Sequence, residues 1–162
     1  MGFEIDSKRG VAVSYGVRTT NGKFGGQQST KNGVVKSAVW DFKYNDLPNY
    51  GSNGLQFSLP ANTTIVSAKL YVDVAFTSTS TTTDLDVGLY TAAGAAIAAS
   101  GLISASEATQ TAIGTAGNVV TGAGSLIGKT IGGTAGELVV TPTVADLTAG
   151  QGRIVVEYVY DK

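Results

Sequence analysis

The chain has 162 residues, a formal net charge of −1 and charged side chains at only 14 % of positions, with neither cysteine nor histidine. That excludes disulfides, thiolate metal sites, histidine-dependent triads and HExxH zinc centres, and it gives no reason to expect nucleic-acid binding. The length suits a single domain that buries roughly two-thirds of its unfolded surface.

Gly, Ala, Ser and Thr take the place of the missing charges. A surface of small side chains suits close packing against neighbouring subunits, and a secreted or assembled structural protein equally well. Met1-Gly-Phe-Glu-Ile-Asp-Ser-Lys-Arg carries charges where a signal peptide needs an apolar core. Met1-Gly2 would suit a myristoylated start, but Asp6 stands where that motif prefers a hydroxyl. No run of about twenty apolar residues predicts a membrane span. The expectation is a soluble protein made in a cytoplasm without an export signal.

Residues 1–32 read as an extended N-terminal arm, and 33–162 as a β-sandwich domain. In the arm Lys8, Arg9, Arg18, Lys23 and Lys31 face only Glu4 and Asp6. Val11, Val13 and Tyr15 alternate with small residues, which predicts one short strand, and a run of turn formers follows from Thr19 to Thr30. Two readings stand for this segment: an arm lying on a partner, or an ordinary frayed terminus.

Gly33 to Tyr44 is the first strong strand. Ala38, Trp40, Phe42 and Tyr44 share one face, and the single Trp reads as a core anchor. Asn45 to Gly54 is a loop by its turn residues. Leu55, Phe57 and Leu59 then alternate into Pro60.

The stretch from Leu59 to Tyr90 has the clearest pattern. Leu70, Val72, Val74 and Phe76 fall on one face, with Lys69, Tyr71 and Asp73 opposite. Leu85, Val87 and Leu89 repeat the pattern against Asp84 and Asp86. Period two with β-branched and aromatic residues predicts two half-buried strands, read here as a central hairpin with a long exposed Thr/Ser loop.

Thr91 to Ser106 is mostly Ala, interrupted by Gly94 and Gly101, which fits either a short strand and loop or one or two helical turns. Ser106-Glu107-Ala108-Thr109-Gln110 suits the start of a brief helix. Between Gly114 and Gly136 glycine recurs every few residues and breaks any long element, leaving apolar islands at Val119-Val120, Leu126-Ile127 and Ile131. Glu137 to Thr141 is a strand, 146–152 a turn, and Arg153 to Tyr160 a closing strand. Seven or eight strands without a βαβ rhythm predict an all-β fold, an antiparallel sandwich of jelly-roll type.

Three sets of residues invite a chemical reading. Ala123-Gly124-Ser125-Leu126-Ile127-Gly128-Lys129-Thr130 resembles a phosphate-binding loop, but the glycines after it cannot sustain the helix such a loop needs. Gly122, Gly124 and Gly128 approximate a dinucleotide spacing and lack the same context. Asp84 and Asp86, with Asp73 across the expected hairpin, could form a weak calcium site or simply be a solvated strand face. Tyr71, Tyr90, Tyr158 and Tyr160 could form a sugar-binding platform, or pack in a core or subunit interface. No catalytic residue, cofactor site or metal site is assigned.

Leu59-Pro60-Ala61-Asn62-Thr63-Thr64-Ile65-Val66, the Lys69–Val74 strand and Asp84-Leu85-Asp86-Val87-Gly88 carry a resemblance. So do Leu138-Val139-Val140-Thr141-Pro142 and the segment from Leu147 to Tyr158. Over residues 33–160 the chain resembles the cement or decoration proteins of tailed-bacteriophage capsids. The resemblance implies a non-enzymatic virion protein with a jelly-roll sandwich on the outer capsid surface. As a dimer or trimer it would bridge major capsid subunits, with neither nucleic acid nor membrane as partner. The expected capsid-facing residues are Arg9, Arg18, Lys23, Phe24 and Lys31, since Arg and aromatic side chains anchor interfaces. The alternative is a carbohydrate- or receptor-binding head-fibre or tail module on the same kind of sandwich.

Overall fold

The computed structural model describes residues 34–47 and 58–160, together with two short strands at 14–15 and 26–27. Contacts divide the chain into two units, Met1–Val34 and Val35–Lys162. In the first, β1 (Ser14–Tyr15) pairs antiparallel with β2 (Gly26–Gln27).

The second unit has eight strands. They are β3 (Val35–Lys43), β4 (Ser58–Leu59), β5 (Thr63–Ser78), β6 (Leu85–Tyr90), β7 (Ala96–Ile103), β8 (Val119–Thr121), β9 (Gly136–Pro142) and β10 (Leu147–Tyr160). A 3-10 turn (Tyr44–Asp46) follows β3, and one helical turn, α1 (Gln110–Ile113), precedes β8. One sheet has the order β3-β10-β5-β8 and the other β4-β9-β6-β7, every pairing being antiparallel. Apart from the β6–β7 connection, each link from β3 to β10 changes sheet. This is the strand order of an eight-stranded jelly roll.

The strands form where side chains alternate, and their inner faces meet as one core. From the first sheet come Phe42, Ile65, Ala68, Leu70, Val72, Phe76, Ile154 and Val156; from the second Leu59, Leu85, Val87, Leu89, Leu102, Ile103, Leu138 and Val140. Trp40 stacks on Phe42 with ring centroids 4.7 Å apart, and Phe42 on Phe76 at 5.5 Å. Trp40 is the half-buried outer member of this row, so it supports the core from its margin.

Four expectations need correction. β5 and β6 are not a hairpin: β5 pairs with β10 and β8, β6 with β9 and β7, in opposite sheets. Both strands bury one face, and in a sandwich those faces oppose each other across the core rather than sharing a ladder. The link between them is tied down, with Thr83 fully buried and its hydroxyl 2.9 Å from that of Ser78. Along β5 the alternation slips: Val74 is 52 % exposed although Val72 and Phe76 are buried. The pairing with β10 skips Val66 and Asp73 and holds one more extra β5 residue between Val74 and Thr77, so β5 is bulged three times.

The third correction is at 147–152, read from its turn residues but in fact the irregular first half of β10. Gly150 has φ +125, and a Cβ added there would lie 2.1 Å from Phe76 Cδ1. Glycine serves here to seat an aromatic ring, not to reverse the chain. Fourth, Tyr44 leaves the strand face and is exposed in the 3-10 turn, where Lys43 N donates to Asp46 Oδ2 at 2.8 Å. Leu55, Phe57 and most of the 45–54 loop lie outside the described residues.

Gly150→Ala should lower stability by about 1–3 kcal/mol, from backbone strain and the clash with Phe76. Gly133→Ala, where an added Cβ meets nothing within 4 Å, should stay within about 0.5 kcal/mol. Urea midpoints of the two variants check the contrast.

Candidate interaction surface

The glycine-rich segment that mimics a phosphate loop is a strap closing one side of the sandwich. Asn118 O accepts from Val72 N at 2.9 Å, and β8 then pairs with β5 from Lys69 to Tyr71. Gly122 N donates to Ala68 O at 2.8 Å on the first sheet, and Gly124 N to Leu102 O at 3.2 Å on the second. Leu126 N bonds Gly101 O at 2.9 Å, after which Gly128 N returns to Ile65 O at 2.8 Å. A Cβ at Gly122 would lie 2.1 Å from Leu102 O, so only glycine lets the strap approach this edge. The Gly124, Leu126 and Gly128 amides are bonded to the two sheets, those of Ile127 and Lys129 within the strap, and no helix follows. Val120 and Ile131 are buried and Leu126 and Ile127 pack on the core, which explains the apolar islands.

The acidic residues singled out from the sequence are likewise engaged. Asp84 Oδ1 accepts from Gln110 N and Asp86 Oδ1 from Ala105 N, each at 2.7 Å. Asp73 lies on the other sheet, bridged to Arg153 at 3.2 Å. The three therefore do not converge, because the expected hairpin that would have joined them does not exist. Glu107, which sequence reading passed over as a helix opener, accepts from Ser104 N and from Ala123 N, both at 2.8 Å. It thereby fastens the strap to the turn before α1, whose own N-cap is Thr109. Among the described residues no three acidic groups assemble as a metal site.

The tyrosines do not form one platform. Tyr71 stands on the outer face of the first sheet with the Arg153 guanidinium 5.5 Å from its ring centroid. Tyr158 packs against the core, Tyr90 is buried in the second sheet, and Lys36 Nζ lies 5.5 Å from the Tyr160 ring centre.

One surface available for contact with another molecule is the outer face of the β3-β10-β5-β8 sheet and its β3 margin. Outward residues align in rows: Val35 beside Val159, Ser37 beside Glu157 and Ser67, Val39 beside Val155 and Lys69. The next row is Asp41, Arg153, Tyr71 and Val119. Val35, Val39 and Val119 are 52 %, 55 % and 49 % exposed. Paired groups hold the charges in place, since Ser67 donates to Glu157 Oε2 at 2.7 Å and Arg153 meets Asp73. The face sets exposed valines among Asp41, Lys69, Glu157 and the Arg153–Asp73 pair, a mixed apolar and charged surface of the kind found where proteins meet. Sequence reading missed it because single valines on a strand carry no signal of which sheet face stays uncovered. Arg9, Arg18, Lys23, Phe24 and Lys31, expected at the interface, lie outside the described residues.

No protein-family model matches the chain, and no curated protein matches it. Two solved structures do. A chain of the cyanophage Pam1 capsid asymmetric unit superposes with TM-score 0.52 at 19 % identity, covering 90 % of this chain and 98 % of that one. A chain of the capsid of Ralstonia phage GP4 does so with TM-score 0.52 at 23 % identity, covering 83 % and 90 %. The fold is shared with phage capsid chains. The sandwich expected from strand spacing is thus both the observed architecture and one found in such particles.

Asp84→Ala should cost about 1–3 kcal/mol, because it strands the amide of Gln110 and the turn leading into α1. Asp73→Ala, which removes only an exposed ion pair, should cost less than about 1 kcal/mol. Thermal and urea unfolding of both variants checks the difference.

Proposed function

We propose that this protein is a non-enzymatic structural component of a phage virion, a cement or decoration protein. It binds the outer surface of the head and bridges major capsid subunits as a homo-oligomer. One observation carries this reading: the likeness to a capsid chain runs nearly end to end, over 90 % of this chain and 98 % of the other. Such coverage supports a whole protein of the same build, not a small module shared with unrelated molecules. The uncovered valine face and the absorption of Asp84, Asp86 and Glu107 into backbone bonds support it as well.

The mechanism is mass action. A protein that binds only the assembled, expanded lattice stabilises it by its binding free energy at every site. Bridging makes the contacts multivalent, so modest individual interfaces suffice. In this reading residues 1–32 are a basic arm on the capsid. Arg9, Arg18, Lys23, Phe24 and Lys31 supply its anchors, meeting an acidic patch on the shell.

Co-sedimentation with expanded heads tests the proposal. The full chain should pellet with heads and raise their resistance to heat. A chain lacking residues 1–30 should stay folded, as read by circular dichroism, and fail to pellet. Full-strength binding by the truncated chain removes the arm from the proposal, and absence of binding by the full chain removes the capsid role.

A further inference from the structure

The two sheets manage their margins unequally. On one side the strap bonds to Ile65, Ala68 and Val72 of β5 and to Gly101 and Leu102 of β7. On the other side β3 offers nine residues that, among the described residues, are paired only with β10. An open strand edge is a template for another strand, and proteins normally blunt it with proline, bulges or exposed charge. β3 has no proline and no bulge, its register with β10 running unbroken from Lys43 opposite Gln151 to Val35 opposite Val159. Of its charged residues Lys36, Asp41 and Lys43, none falls within Ser37-Ala38-Val39-Trp40, and Asp41 borders them. Lys36 turns toward the Tyr160 ring of its own sheet, and Lys43 stands at the strand end.

We propose that β3 pairs antiparallel with β3 of a second copy of this chain, about a two-fold axis through Val39, to give a dimer with one continuous eight-stranded sheet. The register follows from the side chains. Keeping both outer valine faces on the same side allows only shifts by even numbers of residues. With Val39 opposite Val39, Ser37 of each copy faces Asp41 of the other, a hydroxyl donor against a carboxylate, twice by symmetry. Val35 then faces Lys43, and no like charges meet. Sliding the pairing by two residues sets both Asp41 carboxylates against valine, Val39 in one direction and Val35 in the other. Sliding by four in the first direction sets Asp41 against Asp41. The chosen register also joins Val155 and Val39 of both copies into one apolar strip across the seam. Such a seam closes at two chains, so it selects a dimer over a trimer. It deepens the self-association in the reading above, and its test needs no capsid, so the two can fail separately.

Because the chain has no cysteine, single cysteines report the register directly. Opposed residues of an antiparallel pair have Cα atoms about 4.5–5.5 Å apart, within the disulfide range of roughly 4.4–6.8 Å. In the full-length chain V39C should form a covalent dimer on mild oxidation. S37C alone and D41C alone should not, since each lies about 13 Å along the strand from its own mate. An equimolar mixture of S37C and D41C should cross-link. In parallel, V39K places two ammonium groups opposite each other. It should convert the native dimer to monomer in sedimentation equilibrium with an unchanged circular dichroism spectrum, weakening association at least about tenfold. The proposal is overturned by V39C that stays monomeric under oxidation, by S37C that cross-links as readily as V39C, by a native trimer, or by V39K that associates as well as the native chain.

Discussion

Phe76 rests on the backbone of β10, and much of the sandwich takes its shape from that contact. The ring occupies space that a Cβ at Gly150 or Gly152 would need. From there it stacks on Phe42, which stacks on Trp40, so one aromatic row runs across β5, β10 and β3. Three of the four ladder irregularities of β10 against β5 fall between Leu147 and Gly152, at the same end of the strand. The pairing of β10 with β3, by contrast, is regular over nine residues, Phe42 and Trp40 included. The first sheet is therefore irregular between β10 and β5 and regular between β10 and β3.

A second constraint comes from the strap. Glycines in loops usually indicate freedom of the backbone, but Gly122 and Gly124 are here because backbone must touch backbone. Their amides bond alternately to two different sheets, so the segment acts as a lace between them. It closes the β5 and β7 margins without contributing a long strand. The two margins of the first sheet therefore differ: the strap closes the β5 side, while β3, among the described residues, pairs on one side only.

Carboxylates make the third regularity. Asp46, Asp84, Asp86 and Glu107 each accept from a backbone amide, and Asp73 is held by Arg153. In a chain with few charges these groups serve as caps that fix the turns between strands. Turns fixed in this way are in keeping with the proposed place in a virion shell.

The all-β class, the inward faces of β3 and β6, and the failure of the phosphate-loop mimic were legible in the residue pattern. Local steric rules govern them: period two marks a half-buried strand, and a glycine run cannot hold a helix. The arm residues expected at an interface lie outside the described part, so for the candidate surface the pattern offered only composition, small side chains and few charges. Pairing partners were not legible. Val72 and Val87 look alike whether their strands share a ladder or face each other across a core, so the supposed β5–β6 hairpin could be undone only by the third dimension. The same holds for Gly150, whose turn-like neighbourhood conceals a seat for Phe76, and for the valines of the outer face, which alternate like buried ones. Alternation along a chain records which side of each strand is apolar. Which strands adjoin, and which apolar side stays open to another molecule, depends on contacts between residues far apart in sequence, and tertiary structure alone decided those.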